Sequence, residues 1–164
     1  MGIRKAEIRD LEQIKKIEKD YYEGYTCPDE ILLDWIENSK TFFVLEEKSG
    51  IKAFIFIELL KEKKELPFIH KIGPKGEYAY VSDIGVLDGD EEKLSILIDF
   101  ALKSLKQIKS VIWVTGSGHK HDKIELGLLK RYGFEKIKKI DSWEAYPGHF
   151  VSDHWLYEKK LNKV

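Results

Sequence analysis

The chain has 164 residues, and 43% of them are hydrophobic. This length predicts one domain over residues 1–164, with enough apolar surface to bury a core. The 28 basic and 29 acidic residues leave a net charge of −1. That balance argues against a dedicated nucleic-acid binder, because such proteins carry a basic excess. The one cysteine excludes an internal disulfide framework.

No apolar run approaches the roughly 20 residues that a membrane-spanning helix needs. The first residues run straight into the charged pair Arg4 and Lys5 and lack the apolar region of a signal peptide. We therefore expect a cytoplasmic protein without a membrane partner. Its many Lys, Glu and Ile residues, with few Asn and Gln, are typical of heat-adapted proteins, and AT-rich genomes give a similar bias.

The spacing of apolar residues predicts the secondary structure. Runs rich in β-branched and aromatic residues predict seven strands, at residues 3–6, 41–45, 51–60, 77–86, 111–114, 134–143 and 154–161. Helical spacing predicts four helices, at about residues 11–21, 28–36, 94–105 and 122–132. The resulting order, βααβββαβαββ, predicts an α/β fold with a mixed sheet covered by helices.

Three local signals predict where helices begin and end. Asp10 and Gln13 have the spacing of a capping box at the first helix. Pro28 suits the first turn of the second helix. Gly133 suits the position just after the last helix, because glycine readily adopts the left-handed conformation found there.

Five segments carry a resemblance to a known family. In chain order they are IRKAEIRDLEQIKKIE, VLEEKSGIKAFIFIE, VSDIGV, LLKRYGFEKI and HWLYEKKL. Their order and spacing resemble the GNAT superfamily of N-acetyltransferases over nearly the whole chain. The resemblance implies the GNAT fold and transfer of an acetyl group from acetyl-CoA to a primary amine, by direct attack in a ternary complex.

The resemblance also bears on the partners. The acceptor is implied to be the amine of a small molecule or a peptide. Members of the family often form dimers, so the resemblance is compatible with a homodimer. In the family the first helices and the late β-hairpin frame the acceptor. Part of the aromatic content is therefore interpreted either as an acceptor pocket or as ordinary core and interface packing: Tyr21, Tyr22, Tyr25, Trp35, Phe68, Trp143 and Tyr146.

The resemblance further implies a binding site for acetyl-CoA on VSDIGV and the helix after it. This strand would splay from VIWV, and pantetheine would pair with the freed backbone. The pyrophosphate would lie on amides at the start of the helix, where N–H groups and the helix dipole favour an anion. Eight residues are thereby implied: Ile84, Gly85, Val86, Gly89, Lys93, Leu94, Ser95 and Asp122. Asp122 is also interpretable as a helix N-cap.

The segment 87–95 departs from the family pattern, because it is about two residues shorter and has one glycine and four acids. These acids oppose a pyrophosphate, since like charges 4 Å apart repel by about 1 kcal/mol in water. Acids in a first helical turn also stabilise the helix dipole, so both interpretations stay open. If the repulsion prevails, the alternative is a catalytically inactive GNAT-fold binding or regulatory domain that no longer uses acetyl-CoA.

Acetyl transfer needs a neutral amine, so a base must take a proton from the ammonium form. Asp83 is the first candidate, because an acid inside an apolar strand is costly unless it is paired. It is also interpretable as a hydrogen-bonded structural residue. Ser82 is a candidate for a hydrogen bond to pantetheine or the substrate, and Glu77 and Tyr80 are further candidates on this strand.

Many family members carry a tyrosine that protonates the leaving thiolate, but the matching position here is Leu129, which has no proton to donate. Tyr132 is the candidate replacement, with a packing role as the alternative. His119 and His121 lie close in sequence but lack a further convincing ligand, so no metal is predicted. They are interpreted as a proton relay or as surface residues.

Overall fold

The structure, a computed structural model, describes residues 1–60, 78–105, 108–146 and 149–161. These ranges contain seven strands: β1 (Gly2–Lys5), β2 (Phe42–Glu47), β3 (Gly50–Leu60), β4 (Tyr78–Val86), β5 (Ser110–Thr115), β6 (Glu135–Tyr146) and β7 (His149–Lys160). They also contain four α-helices: α1 (Leu11–Tyr21), α2 (Asp29–Asn38), α3 (Glu91–Ser104) and α4 (Lys120–Arg131). No helix in these ranges is long and apolar enough to cross a membrane.

The strands form a mixed sheet in the order β1-β2-β3-β4-β5-β7-β6. The pairs β1–β2, β2–β3, β5–β7 and β6–β7 are antiparallel, whereas β4 and β5 run parallel. Parallel neighbours need a crossover connection, which the segment containing α3 provides. The predicted element order βααβββαβαββ and the α/β class with a mixed sheet are confirmed.

The chain divides into two compact units, the first containing Met1–Ile57 and Asp83–Leu105. The apolar faces of its helices and strands form a core that includes Ile14, Ile17, Leu32, Phe42, Phe54, Leu94 and Leu97. The regular apolar spacing of α1 thus becomes one wall of this core. Because α1 and the end of β4 belong to the same unit, side chains of Glu18 and Tyr22 reach Asp83.

The second compact unit contains Glu58–Ser82 and Lys106–Val164. In it, β4 and β5 pair in parallel, beginning with Tyr78 opposite Ser110. Its core includes Tyr78, Tyr80, Ile112, Ile140 and Leu156. The predicted splay of β4 from β5 involves residues of both units and stays a prediction.

The first two helices begin within one residue of the predicted positions, but two of the signals assigned to their starts are wrong in detail. The capping box lies one turn earlier, between Glu7 and Asp10, whose carboxylate accepts the backbone N–H of Glu7 at 2.8 Å. Gln13 is not part of it, because its Oε1 accepts the backbone N–H of Ile51 at 2.9 Å. Pro28 is the N-cap residue of α2, one position before the first turn.

The predicted end of the last helix is confirmed. Gly133 has φ +74° and follows α4 after Tyr132. The N–H of Phe134 donates to the carbonyl of Leu129 at 2.9 Å, and that of Gly133 to Lys130 at 3.2 Å. This pair of bonds is a Schellman motif, which satisfies carbonyls at the helix end and requires a left-handed residue.

Gly85 of β4 is packed too closely to accept a side chain. A Cβ there would lie 2.8 Å from Cε1 of Phe54 and 3.0 Å from Cγ2 of Ile17. We expect Gly85→Ala to lower the free energy of unfolding by about 1–3 kcal/mol, the usual cost of overpacking a core.

The matched control is Gly127→Ala in α4, and urea unfolding would measure the stability of both variants. A Cβ at Gly127 meets nothing within 4 Å, so that change should raise stability by about 0.5–1 kcal/mol through helix propensity. Equal effects of the two substitutions would show that Gly85 is not sterically required.

Candidate active site

Asp83 lies near the end of β4 with only 7% of its surface exposed. Its Oδ1 accepts two hydrogen bonds, from the Tyr22 hydroxyl at 3.1 Å and from the backbone N–H of Ile84 at 2.9 Å. No hydrogen-bond donor within the described ranges reaches its Oδ2. The predicted base is thus a buried carboxyl group with one satisfied oxygen.

Glu18 of α1 brings a second carboxyl group to Asp83, and it is 1% exposed. Its Oε1 accepts the hydroxyl of Thr26 at 2.8 Å and the backbone N–H of Cys27 at 3.1 Å. Burial raises the pKa of Asp83 well above its usual range, and the neighbouring charge of Glu18 raises it further. The bonds from Tyr22 and Ile84 oppose this rise but do not cancel it.

Tyr22 connects the carboxyl group of Asp83 to the strand backbone. Its hydroxyl oxygen lies 2.8 Å from the carbonyl oxygen of Ile84 as well as 3.1 Å from Asp83 Oδ1. The rings of Tyr21 and Tyr25 meet the Tyr22 ring edge-on, with centroids 4.9 and 6.3 Å away. Tyr22 therefore has a polar role at Asp83 that core packing alone does not describe.

Sequence reasoning missed Glu18 altogether and identified Tyr22 only as an aromatic residue. A signal for Glu18 was present, since it lies on the apolar face of α1 with Ile14 and Tyr21. An acid at such a position requires a polar partner inside the fold. Cys27 also belongs here, because burial, Asp83 and Glu18 all raise the pKa of its thiol.

The backbone of Ile84 already has partners on both sides. Its N–H donates to Asp83 and its carbonyl accepts from Tyr22. A hydrogen bond from pantetheine to Ile84 would compete with these contacts. The implied pairing with Gly85 and Val86, both buried, stays a prediction.

The loop after β4 turns sharply through a 3₁₀ turn, Leu87–Gly89. Asp88 and Gly89 both have left-handed backbones, with φ of +57° and +64°. The backbone N–H of Asp88 donates to Oδ2 of Asp20 on α1 at 3.2 Å. One backbone amide of the loop implied to bind pyrophosphate therefore already donates its hydrogen bond to an acidic side chain.

A second carboxylate occupies the start of α3. Oδ1 of the N-cap residue Asp90 accepts the backbone N–H of Lys93 at 3.3 Å. The Lys93 ammonium lies 3.2 Å from a carboxylate oxygen of Glu47 and 3.7 Å from Asp90. Leu94 and Ser95 are buried. Binding of phosphate by these residues stays a prediction, and it would have to displace or tolerate these ion pairs.

The remaining catalytic candidates belong to the second unit. Ser82 is half-buried and directly precedes Asp83 in β4. Tyr132 is half-buried at the end of α4, and its carbonyl accepts the ammonium of Lys159 at 2.6 Å. Tyr80 is part of the core, and Glu77 lies outside the described residues. The roles of Ser82 and Tyr132 stay predictions.

Asp122 is not the N-cap of α4, so that interpretation was wrong. His119 is the N-cap residue, and the Asp122 carboxylate reaches back to accept its N–H at 2.8 Å. The same carboxylate accepts the hydroxyl of Thr115 at 3.2 Å and lies 3.5 Å from Nε2 of His121. Within the described ranges, no group of three His, Cys, Asp or Glu side chains could hold a metal ion.

Comparison with known proteins supports the fold. No protein-family model and no curated protein matches the sequence. The GphF GNAT-like decarboxylase in complex with isobutyryl-CoA is 14% identical, with TM-score 0.73, over 99% of this chain and 100% of that one. Arabidopsis thaliana NAA60 in complex with a bisubstrate analogue is 18% identical, with TM-score 0.73, over 98% of each chain. Ard1 from Thermoplasma volcanium is 15% identical, with TM-score 0.74, over 99% of this chain and 98% of that one.

At these identities the likeness establishes the fold, which is the GNAT fold. The resemblance seen in the sequence is thereby confirmed at the level of fold. A shared fold does not determine the reaction, so the activity has to be argued from this chain's own residues.

Proposed function

We propose that the protein is a cytoplasmic N-acetyltransferase that moves an acetyl group from acetyl-CoA to a primary amine. The observation that carries this proposal is the buried carboxyl group of Asp83, which adjoins the Ile84–Val86 backbone and has a raised pKa. Such a group accepts a proton near neutral pH far better than an ordinary aspartate does.

The base is needed because an ammonium ion has no lone pair. A lysine-like amine has a pKa of about 10.4, so it is almost fully protonated at neutral pH. Asp83 would accept this proton, while Tyr22 and the Ile84 amide hold the carboxylate in place. The neutral amine then attacks the acetyl carbonyl, which a backbone N–H of the Ile84–Val86 segment would polarise.

In the transfer, one bond forms and one bond breaks. The amine nitrogen forms a bond to the acetyl carbon, and the bond from that carbon to sulfur breaks. The first proton of the ammonium ion goes to Asp83, and the nitrogen releases a second proton once its new bond has formed. A thiol has a pKa of about 8.5, so CoA leaves tolerably well even where Leu129 replaces an acid. Tyr132 is the proposed donor of a proton to the thiolate, and the second proton released by the nitrogen replaces the one that Tyr132 gives up.

Solved structures with the same fold support binding of acyl-CoA. One solved structure with the same fold contains isobutyryl-CoA and another, NAA60, contains acetyl-CoA. Two others contain bisubstrate analogues. We propose acetyl-CoA as cosubstrate on Gly85, Val86 and the start of α3, and an amine of a small molecule or peptide as acceptor.

Removing one acid from the loop should strengthen binding of acetyl-CoA. Asp90→Asn keeps a good N-cap residue but removes a charge beside the proposed phosphate site. Relief of about 1 kcal/mol of repulsion corresponds to roughly fivefold tighter binding. The matched control is Asp99→Asn, an exposed acid two turns further along α3, which should change the dissociation constant less. Equal effects of both changes would indicate a general charge effect and no phosphate contact at Asp90.

The activity itself is tested by incubating the protein with acetyl-CoA and a panel of primary amines. The panel should include amino acids, polyamines, aminoglycosides and peptides with free N-termini. We expect one class to release CoA thiol and to gain one acetyl group by mass spectrometry. If acetyl-CoA binds but no amine is acetylated above the uncatalysed rate, the enzyme proposal is wrong.

The acidic loop favours a second candidate, an inactive GNAT-fold domain that binds a different ligand or a protein. Carboxylates of Asp20 and Asp90 accept the Asp88 and Lys93 amides, which the resemblance assigns to the pyrophosphate region. This candidate predicts that acetyl-CoA does not bind at all. The two candidates therefore separate at the binding step, before any acceptor is known.

A further inference from the structure

Two carboxyl groups of the first unit meet in a nearly dry environment, Glu18 from α1 and Asp83 from β4. The donors that reach them within the described ranges are all neutral. They are the Thr26 hydroxyl and Cys27 amide on Glu18, and the Tyr22 hydroxyl and Ile84 amide on Asp83. No lysine, arginine or histidine is among these donors, so no ion pair within the described ranges neutralises the two carboxyl groups.

Two neighbouring buried carboxylates without a cation cannot both stay ionised cheaply, because burial and mutual repulsion both oppose the second charge. Within the described ranges, Oδ2 of Asp83 receives no hydrogen bond from a donor, which points to the same conclusion. Asp83 and Glu18 lie within hydrogen-bonding reach of each other, and two carboxyl groups can form that bond only if one of them carries a proton. A shared proton would satisfy the otherwise orphaned oxygen.

We propose that Glu18 and Asp83 form one acid–base unit that holds a single proton between two carboxyl groups, with Glu18 as the positioning residue. The proposal rests on the proposed function and extends it to a residue outside the β4 strand. Thr26 and Cys27 fix the Glu18 carboxyl, and Tyr22 fixes that of Asp83. Glu18 thereby keeps Asp83 a strong proton acceptor and prevents it from becoming a fully stabilised carboxylate.

The amine's proton has a defined destination in this unit. The singly protonated pair carries one negative charge. When the proton of the ammonium ion goes to Asp83, the proton already held between the two carboxyl groups goes to Glu18, and the pair becomes neutral. After the N–C bond forms and the C–S bond breaks, the pair returns this proton to solvent. Tyr22, whose one hydroxyl hydrogen lies between Asp83 Oδ1 and the Ile84 carbonyl, can reorient as the charge changes.

The first test is a carbon-13 NMR titration of the side-chain carboxyl carbons in the protein without substrates. We expect wild-type Asp83 to retain proton occupancy well above the pH at which exposed aspartates ionise. In Glu18→Gln this midpoint should move to lower pH, because the neighbouring charge is lost and an amide N–H becomes available to Oδ2. Two carboxylates fully ionised in the wild type at neutral pH, or a midpoint unmoved in Glu18→Gln, would overturn the proposal.

Stability against pH provides a second readout that does not need activity. The raised pKa of folded Asp83 means that the folded protein binds a proton that the unfolded chain releases. Stability should therefore fall as pH rises from about 4, the ordinary aspartate value, through the raised pKa. Asp83→Asn should lack this decline. A wild-type decline identical to that of Asp83→Asn would count against the shared proton.

Activity separates positioning from a merely structural role. In Glu18→Gln we expect kcat/KM at neutral pH to fall by about 10- to 100-fold, and the acid limb of its pH profile to move to lower pH. Glu18→Asp, which keeps a carboxyl group, should restore part of the rate. A folded Glu18→Gln protein with an unchanged pH profile would refute the positioning role. If the NMR shift appears but no amine is acetylated, the proposed function fails while the shared proton stands.

Discussion

Asp83→Asn is expected to lower kcat/KM for acetyl transfer by about 100- to 10,000-fold, the usual contribution of a general base. Asparagine keeps the size of the side chain and can still accept from the Tyr22 hydroxyl and the Ile84 amide. It cannot take a proton from the ammonium ion. The loss should therefore appear in the chemical step, while acetyl-CoA binding stays close to wild type.

The matched control for this prediction is Glu125→Gln. Glu125 is also a buried acid, and its Oε1 accepts the indole N–H of Trp113 at 2.8 Å in the second unit. Glutamine preserves that acceptor, so acetyl transfer should change little. Steady-state kinetics over a range of pH would measure both variants. Near-wild-type activity in a folded Asp83→Asn protein would remove Asp83 from the mechanism.

Arg4→Met is expected to lower the free energy of unfolding by about 3–5 kcal/mol, because it leaves a buried carboxylate without its partner. Asp10 is 2% exposed, and its two oxygens accept from the Arg4 guanidinium at 2.7 and 2.9 Å. Arg4 also bonds Glu46 at 3.2 and 3.1 Å. Denaturant unfolding at neutral pH would measure the loss.

The pH dependence of this loss has a definite sign. Burial tends to raise the pKa of Asp10, but the bonds from Arg4 and the Glu7 amide outweigh it and lower the pKa below its usual range. The stability from this pair is present above the unfolded pKa of about 3.9 and is lost as pH falls through the folded pKa. The difference between wild type and Arg4→Met should therefore shrink in acid.

Arg9→Met serves as the matched control for Arg4. Arg9 pairs with Glu7, and the two side chains are 68% and 53% exposed. Exposed ion pairs contribute about 0–1 kcal/mol, so this variant should unfold close to wild type. Similar losses in both variants would show that burial of Asp10 does not matter.

The fold could be predicted from the sequence because its signals are local. The apolar spacing of α1 depends only on residues within that helix, and each β-rich run lies within one strand. The left-handed backbone of Gly133 depends only on residues within one turn. Gln13 could not be predicted, because its partner Ile51 lies 38 residues away. Its spacing from Asp10 is the same whether Gln13 forms a capping box or bonds a distant strand.

The candidate site was predictable only in part, because some of its residues are brought together by contacts between distant parts of the sequence. Asp83 was identified from its own strand, because an acid among apolar residues is locally conspicuous. Its partner Tyr22 lies 61 residues away, and Glu18 is brought to it only by packing of α1. The acids of the loop were visible in the sequence, but the bond between Asp20 and the Asp88 amide was not.

Calorimetric titration of acetyl-CoA into the purified protein tests the central claim most directly, with desacetyl-CoA and dephospho-CoA as controls. Our account predicts binding with a micromolar dissociation constant, about −8 kcal/mol, and tighter binding by Asp90→Asn. The absence of binding at millimolar acetyl-CoA, in the wild type and in Asp90→Asn alike, would contradict the acetyltransferase proposal.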